Sequence, residues 1–208
     1  MSFSVKIFGC GSIGNHLAHA SRALDFEVEM TDVDPAALTR TRNMIYPGRY
    51  GEWDDTINLT HNDDERSVFD PDLVVIGTPP DQHMNVAKSA LIEYGPPAIL
   101  IEKPLATPDL SGINEFVERL ESTCSGTQVF VGYDHAVSES MNFFLAQLNS
   151  LQIGEVTTID VEFREHWGGI FAAHPWLDGP QDTYLGSWVK GGGACGEHSH
   201  ALNLWSLI

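Results

Sequence analysis

The stretch Val5-Lys6-Ile7-Phe8-Gly9-Cys10-Gly11-Ser12-Ile13-Gly14 decides the fold of this 208-residue chain. Its Gly9-x-Gly11-x-x-Gly14 spacing means little alone, because glycine is common. Its surroundings give it weight. Val5 to Phe8 is a compact β-prone run. Beyond the glycines, Ile13, Leu17, Ala20 and Leu24 recur at helical spacing. The order is strand, glycine turn, helix. Gly9 permits the tight turn, Gly11 lets backbone approach a pyrophosphate, and Gly14 lets the helix pack on the strand. The helix N-terminus aims free N–H groups at an anion, so Ser12 and Ile13 join the three glycines as candidate cofactor contacts. A second strand, Phe26 to Met30, alternates with period two and runs into Thr31-Asp32. Asp32 follows Gly14 by 18 residues, close to the offset of roughly 20 expected of an acid that binds the adenosine ribose. A carboxylate accepts from a ribose 2′-hydroxyl and repels a 2′-phosphate. NAD is therefore expected over NADP, although Arg40 and Arg42 stand further on.

Composition narrows the partners. The formal charge of −18 disfavours nucleic acid and anionic membrane, since phosphate binding needs clustered Lys and Arg. Three cysteines, Cys10, Cys124 and Cys195, lie far apart with no Cys-x-x-Cys, so neither a disulfide framework nor a zinc knuckle is expected. A reduced cytoplasm fits. The chain opens on a strand rather than a signal peptide, and no apolar run reaches the ~18 residues of a membrane span.

Strands and helices alternate along the first part of the chain, the pattern of a parallel sheet covered on both faces. Helices are expected over Pro35–Ile45, Asp63–Phe69, Asp81–Tyr94 and Pro108–Glu121. Strands are expected over Thr56–Thr60, Leu73–Ile76, Ala98–Ile101 and Gln128–Val131, with a loop over Tyr46–Asp55. The fold class is thus α/β, a Rossmann-type doubly wound parallel sheet. The character then changes. A helix is expected over Val137–Leu151 and a one-sided strand over Val156–Phe163. His166 to Gly196 is rich in Gly, Trp, His and Pro. A helical stripe of Ala201, Leu204, Trp205 and Ile208 ends the chain. Residues 1–125 read as a dinucleotide-binding domain and 126–208 as part of a second domain, cut short.

Ligands of open parallel sheets bind beyond the carboxyl ends of the strands. Two segments fall there, Gly77-Thr78-Pro79-Pro80-Asp81-Gln82-His83 and Glu102-Lys103-Pro104. Pro104 keeps Lys103 on extended backbone at the same edge.

In order along the chain, Gly9-x-Gly11-x-x-Gly14, Asp32, Thr78-Pro79 with His83, Glu102-Lys103-Pro104, Gly132-Tyr133, Gly154-Glu155-Val156 and Gly191-Gly192-Gly193-Ala194 before Glu197-His198-Ser199-His200 resemble the glucose–fructose oxidoreductase, inositol dehydrogenase and rhizopine-catabolism family (Gfo/Idh/MocA type). The resemblance implies a Rossmann domain that binds a nicotinamide cofactor, followed by a partial α+β domain with an open antiparallel sheet. It also implies a cis bond before Pro104 and a homo-oligomer built on the second sheet. It makes Lys103 and His200 the reacting pair. Thr78, Pro79, His83, Glu102 and Lys103 itself join the cofactor contacts. Asn203 stands where many members carry Asp, and Glu197 stands three before His200, which leaves the acid partner of His200 open.

The chemistry is coherent without the family. Oxidising a secondary alcohol needs a base for the O–H proton, and imidazole titrates near neutrality. An ammonium stabilises charge developing on the oxygen. If Glu197 and His200 share a helical turn, their side chains meet at i,i+3 and Glu197 orients the imidazole. Tyr133, Arg164, Trp167 and His198 are expected substrate contacts; the aromatic residues among His166 to Trp188 suit the apolar faces of a sugar, or a domain core or oligomer interface. Glu197, His198 and His200 could form a zinc-like set, but the resemblance implies no metal. The expected activity is NAD-dependent hydride transfer to or from a hydroxyl carbon of a sugar or cyclic polyol. The rivals are an NAD-dependent glycosidase that oxidises its sugar transiently, and a non-catalytic NAD-binding sensor or inactive fragment.

Overall fold

A computed structural model describes residues 2–64, 69–150, 154–172 and 174–208. The elements in chain order are β1 (Ser4–Phe8), α1 (Ser12–Ala23), β2 (Glu27–Asp32), α2 (Pro35–Arg40), a π-helical turn (Thr41–Ile45), α3 (Tyr46–Tyr50), β3 (Asn58–His61), β4 (Leu73–Ile76), α4 (Pro80–Glu93), β5 (Ala98–Ile101), α5 (Ile113–Thr123) and β6 (Gln128–Val131). After a 3-10 turn at Asp134–Val137 come α6 (Glu139–Asn149), α7 (Gly168–Ala172), three further 3-10 turns, α8 (Gly193–Glu197) and α9 (Ser199–Ser206).

The strands form one parallel sheet in the order β3-β2-β1-β4-β5-β6. Its two faces follow from the period of two. Val5, Ile7, Val28, Met30 and Val75 enter a core shared with Ala18 of α1. Val74, Ile76, Ile99 and Ile101 enter the opposite core with Met84, Ala87 and Leu91 of α4 and Phe116 of α5. Lys6 and Glu29 alternate with the first set and form a buried ion pair, which Asn58 Nδ2 completes by donating to Glu29 Oε2 at 2.7 Å. The chain leaves β1 toward β2 and β3, then returns to the other side of β1 as β4. That reversal opens a crevice at the carboxyl ends of β1 and β4.

Some expectations change. The helix at Pro35 does not end in a loop at Tyr46. It passes through the π turn into α3 before Gly51 (φ +99°) stops it. Pro47 falls in the first turn of α3, where no intrahelical N–H is needed. Tyr46 is buried edge-on to His19, Tyr50 and Trp53, so packing overrides the turn-like composition. The helix expected from Asp63 lies partly outside the described residues. The alternating segment Val156–Phe163 joins no ladder among the described residues. A strand is fixed by a neighbour that accepts its hydrogen bonds, and this segment instead runs along a groove with Met141 and Phe144 of α6 and with Leu204 and Ile208. The expected antiparallel sheet is thus not formed by the described residues.

Candidate active site at the carboxyl edge of the sheet

The glycine turn is built by close approach. Gly9 has φ +101°, and a Cβ there would stand 2.7 Å from the Gly77 carbonyl oxygen. A Cβ on Gly14 would stand 1.9 Å from Gly9 O. Only hydrogen fits, so α1 sits directly on the turn. Gly11 differs, because a Cβ there would meet nothing within 4 Å. It borders open space at the helix N-terminus, the room that a pyrophosphate requires. The turn is braced from below. Asn15 Nδ2 donates to Gly11 O (2.8 Å) and Thr41 Oγ1 (3.0 Å), and Thr41 Oγ1 donates to Cys10 O at 2.6 Å. The π turn is what brings Thr41 there. Ile13 is exposed beside the turn, and Ser12 Oγ accepts from Arg49 Nη1 at 2.7 Å.

Asp32, at the end of β2, accepts from Cys10 N–H at 2.8 Å and from Asp34 N–H at 2.9 Å. A carboxylate has about four lone-pair sites, so each oxygen keeps capacity for a ribose hydroxyl. Arg40 is held by Asp34 at 3.0 Å and lies over the Trp176 ring; Arg42 is held by Asp55 at 3.1 Å. Arg40 and Arg42, the two cations that follow Asp32, are thus both engaged by carboxylates. The open approach at Gly11 and the remaining acceptors of Asp32 fit a dinucleotide with a free ribose.

Across the crevice, His83 is fully buried, with Nε2 2.7 Å from Thr78 O and Nδ1 3.0 Å from Pro104 O. Burial lowers its pKa, although the carbonyls oppose this. His83 therefore ties the loop after β4 to the loop after β5. Thr78 Oγ1 is buried without a hydrogen-bond partner, and Pro79 caps α4. The Lys103–Pro104 bond is cis. Glu102 is half-buried against Gly132, and burial pushes its pKa up to about 6 against the pull of Lys103.

The carboxy-terminal segment folds onto this edge. A Cβ on Gly191 would stand 2.6 Å from Pro80 Cβ, so the glycine-rich run lies flat on the prolines. Lys103 Nζ then reaches Glu197 Oε1 at 3.1 Å and donates to Glu197 O at 3.2 Å. Tyr184 OH donates to Glu197 Oε2 at 3.5 Å, and burial with Glu197 raises the Tyr184 pKa. Glu197 thus serves Lys103. Glu197 and His200 do not share one helical turn, because the helix breaks at His198 between α8 and α9, although the Glu197 charge still acts on His200.

His200 is buried, with Nδ1 3.6 Å from Asp134 Oδ1. Its ring lies edge-on to Tyr133 (5.8 Å), stacked with Phe163 (5.7 Å) and tilted on His135 (4.4 Å). Burial lowers its pKa and the Lys103 charge adds to this, which places Lys103 and His200 in one electrostatic neighbourhood. His198 Nε2 lies 3.6 Å from Glu165 Oε2. Arg164, expected at the substrate, is exposed and ion-paired to Glu162. Trp167 is half-buried, with its carbonyl accepting from Phe171 N–H. Sequence reasoning passed over Asp134 and His135. The signal was available, since both follow β6 at the same strand edge that singled out Lys103.

The model of the oxidoreductase family with an NAD-binding Rossmann fold (Gfo/Idh/MocA) matches residues 3–133. The chain belongs to that family. It is a family of NAD-binding oxidoreductases, which accounts for the glycine turn and Asp32 together. Among solved structures, the chain is similar to the WlbA dehydrogenase from Bordetella pertussis, determined with NADH and UDP-GlcNAcA, at 22% identity and TM-score 0.66 over 99% of this chain and 58% of that one. It is also similar to the apo scyllo-inositol dehydrogenase from Lactobacillus casei, at 20% identity and TM-score 0.57 over 75% and 44%. A dehydrogenase from Chromobacterium violaceum matches at 20% identity and TM-score 0.53 over 74% and 43%. These likenesses concern the fold, and the chain spans no more than 58% of these three relatives. A search of curated proteins found no match. Among the described residues no helix is long and apolar enough to cross a membrane.

Proposed function

We propose that this chain is an NAD-dependent dehydrogenase of a sugar or cyclic polyol, with residues 1–125 holding the cofactor and 126–208 the substrate. The observation that carries this is that Lys103 follows β5 and His200 packs on Tyr133 after β6, with the Lys103 charge acting on His200, at the carboxyl edge of the sheet that also carries the glycine turn. The turn, α1 and Asp32 would hold NAD. Bound NAD supplies the hydride acceptor. His200 Nδ1 faces Asp134, which leaves Nε2 to take the hydroxyl proton. Burial keeps the imidazole neutral and so competent as a base. The Lys103 ammonium, held in place by Glu197, stabilises charge developing on the substrate oxygen. Glu197 is a positioning residue for Lys103. Tyr133 and Phe163 fix the plane of the His200 ring. The relative determined with NADH and a nucleotide sugar supports a sugar-derived substrate.

The test begins with NADH and NADPH titrations followed by nicotinamide fluorescence. Saturable binding, tighter for NADH, is expected. Lys103→Met and His200→Gln should keep that binding while abolishing NAD reduction across a panel of sugars, polyols and nucleotide sugars. Absence of binding to either cofactor overturns the proposal. Cofactor that returns to its starting state after each turnover also overturns it, in favour of a glycosidase.

A further inference from the structure

The side chains of Asp134, His135 and His200 bring one ligand atom each to within 4.8 Å of the others. Two come from the turn after β6 and the third from α9. Asp134 Oδ1 lies 2.7 Å from His135 Nδ1 and 3.6 Å from His200 Nδ1. In a tetrahedral site with bonds of ~2.0–2.2 Å, ligand atoms stand about 3.3 Å apart. The two separations from Asp134 bracket that value, and the two imidazoles stand within 4.8 Å of each other, so a shift of at most about 1.5 Å brings all three to one metal. Two imidazoles and one carboxylate are the donor set of zinc-like cations, whereas magnesium and calcium prefer oxygen.

A second observation points the same way. His200 is more than nine-tenths buried, and its Nδ1 has no hydrogen-bond partner. Its Asp134 neighbour, at 3.6 Å, is beyond hydrogen-bond reach. A buried ring nitrogen without a partner is costly unless something binds it. Tyr133 and Phe163 hold the ring in place, so the nitrogen is presented in a fixed direction. Asp134 and His135 are exposed and give the approach from solvent. The nearby cation, Lys103, is already engaged by Glu197, and the chain as a whole carries a formal charge of −18, which draws cations in.

We propose that Asp134, His135 and His200 form a binding site for zinc or a similar divalent transition metal, and that its filling switches off the base. The binding stands on geometry alone; the switch rests on the function proposed for His200. A neutral imidazole has one lone pair and one N–H. Metal on Nδ1 leaves the proton on Nε2, so Nε2 no longer accepts a proton from a substrate hydroxyl. The ring changes tautomer, and no proton is gained or lost.

The experiment titrates zinc chloride into the full chain in competition with a chromogenic chelator. Cys195, the exposed thiol, is first changed by Cys195→Ser to remove an adventitious ligand. One zinc per chain is expected. His135→Ala and Asp134→Asn should each weaken binding by more than about ten-fold, with unchanged far-ultraviolet circular dichroism. Cobalt in place of zinc should give the visible bands of a tetrahedral site, lost in His135→Ala. No binding, or binding that survives His135→Ala, overturns the site. In turnover assays, the zinc concentration that halves each protein's own rate should rise about ten-fold in His135→Ala. Activity untouched by saturating zinc overturns the switch. A chain that binds zinc but neither NADH nor NADPH leaves the metal site standing and overturns the function proposed above.

Discussion

Replacing Asp32 separates two tasks that its carboxylate performs. The first is bracing. Its oxygens accept from Cys10 N–H at 2.8 Å and Asp34 N–H at 2.9 Å. A hydrogen bond to a charged group contributes about 1.5–3 kcal/mol. Cys10 is fully buried, so water cannot take over its N–H after Asp32→Ala and that bond is lost in full. Asp34 is half-buried, and water recovers part of the second. The expected loss is about 3 kcal/mol, a large share of a typical stability of roughly 5–15 kcal/mol. With a urea slope of about 2–3 kcal/mol/M, the unfolding midpoint of the cofactor-free chain should fall by about 1 M. Asp32→Asn keeps one acceptor oxygen and should fall by about half as much.

The second task is reading the ribose. Loss of a charged acceptor should weaken NADH by roughly ten- to a hundred-fold. Damage to the turn weakens NADH and NADPH together, because both place a pyrophosphate there. The ratio of their affinities cancels that shared loss. It should collapse toward unity in Asp32→Ala, since the 2′-phosphate escapes a repulsion while the 2′-hydroxyl loses a partner. Both affinities are read from nicotinamide fluorescence titrations. A midpoint that does not move refutes the bracing argument. A ratio that holds while both affinities fall refutes the assignment of Asp32 as the ribose acceptor.

Glu102 has its pKa raised from 4.5 to about 6 by burial, so the folded state holds this proton more tightly than the unfolded one. Stability therefore falls as pH rises from 4.5 to about 6, by about 2 kcal/mol, and the cost persists above that range. Glu102→Gln should be more stable than the parent by about that amount near neutral pH and equal to it near pH 4, by urea titration at each pH. Lys6→Met should lower stability by about 3–5 kcal/mol, because the largely buried Glu29 loses its countercharge. Lys6→Met with Glu29→Leu should recover most of the loss in thermal unfolding. Gly14→Ala cannot keep its contact, with Cβ at 1.9 Å from Gly9 O. NADH binding should disappear by equilibrium dialysis even where circular dichroism shows the helices retained.

Much of the parallel sheet and its helices was legible because their signals are local. The run Leu73–Ile76 is apolar throughout, as a strand covered on both faces must be, and the glycines around Gly11 state the turn directly. Where local signals disagreed with packing, packing prevailed. Tyr46-Pro47-Gly48 reads as a loop, yet Tyr46 fills a gap against α1 and carries α3 with it. The alternation from Val156 to Phe163 is a sound half of a strand signal. The other half is a partner ladder, which no single segment encodes.

The candidate site shows the same division more sharply. Lys103, His200 and Glu197 were each recognisable, but their pairing was not, because pairing depends on where the chain between them turns. Spacing of three residues joins Glu197 to His200 only if one helix contains both. The chain instead breaks at His198 (φ −92°, ψ 21°), so Glu197 swings to Lys103 and His200 starts the next helix beside Asp134. That break divides the charges into two neighbouring sets. One carboxylate neutralises the ammonium, and another faces the imidazole together with a second imidazole. In the proposed reaction the division is useful, since an acid placed between Lys103 and His200 would bind both and leave neither free for a substrate oxygen. It also leaves His200 Nδ1 with a carboxylate just out of hydrogen-bond reach and His135 beside it, and that looseness is what makes the nitrogen available to a metal. Joining α8 and α9 into one helix would restore the Glu197–His200 contact, release Lys103 and close the metal site at once.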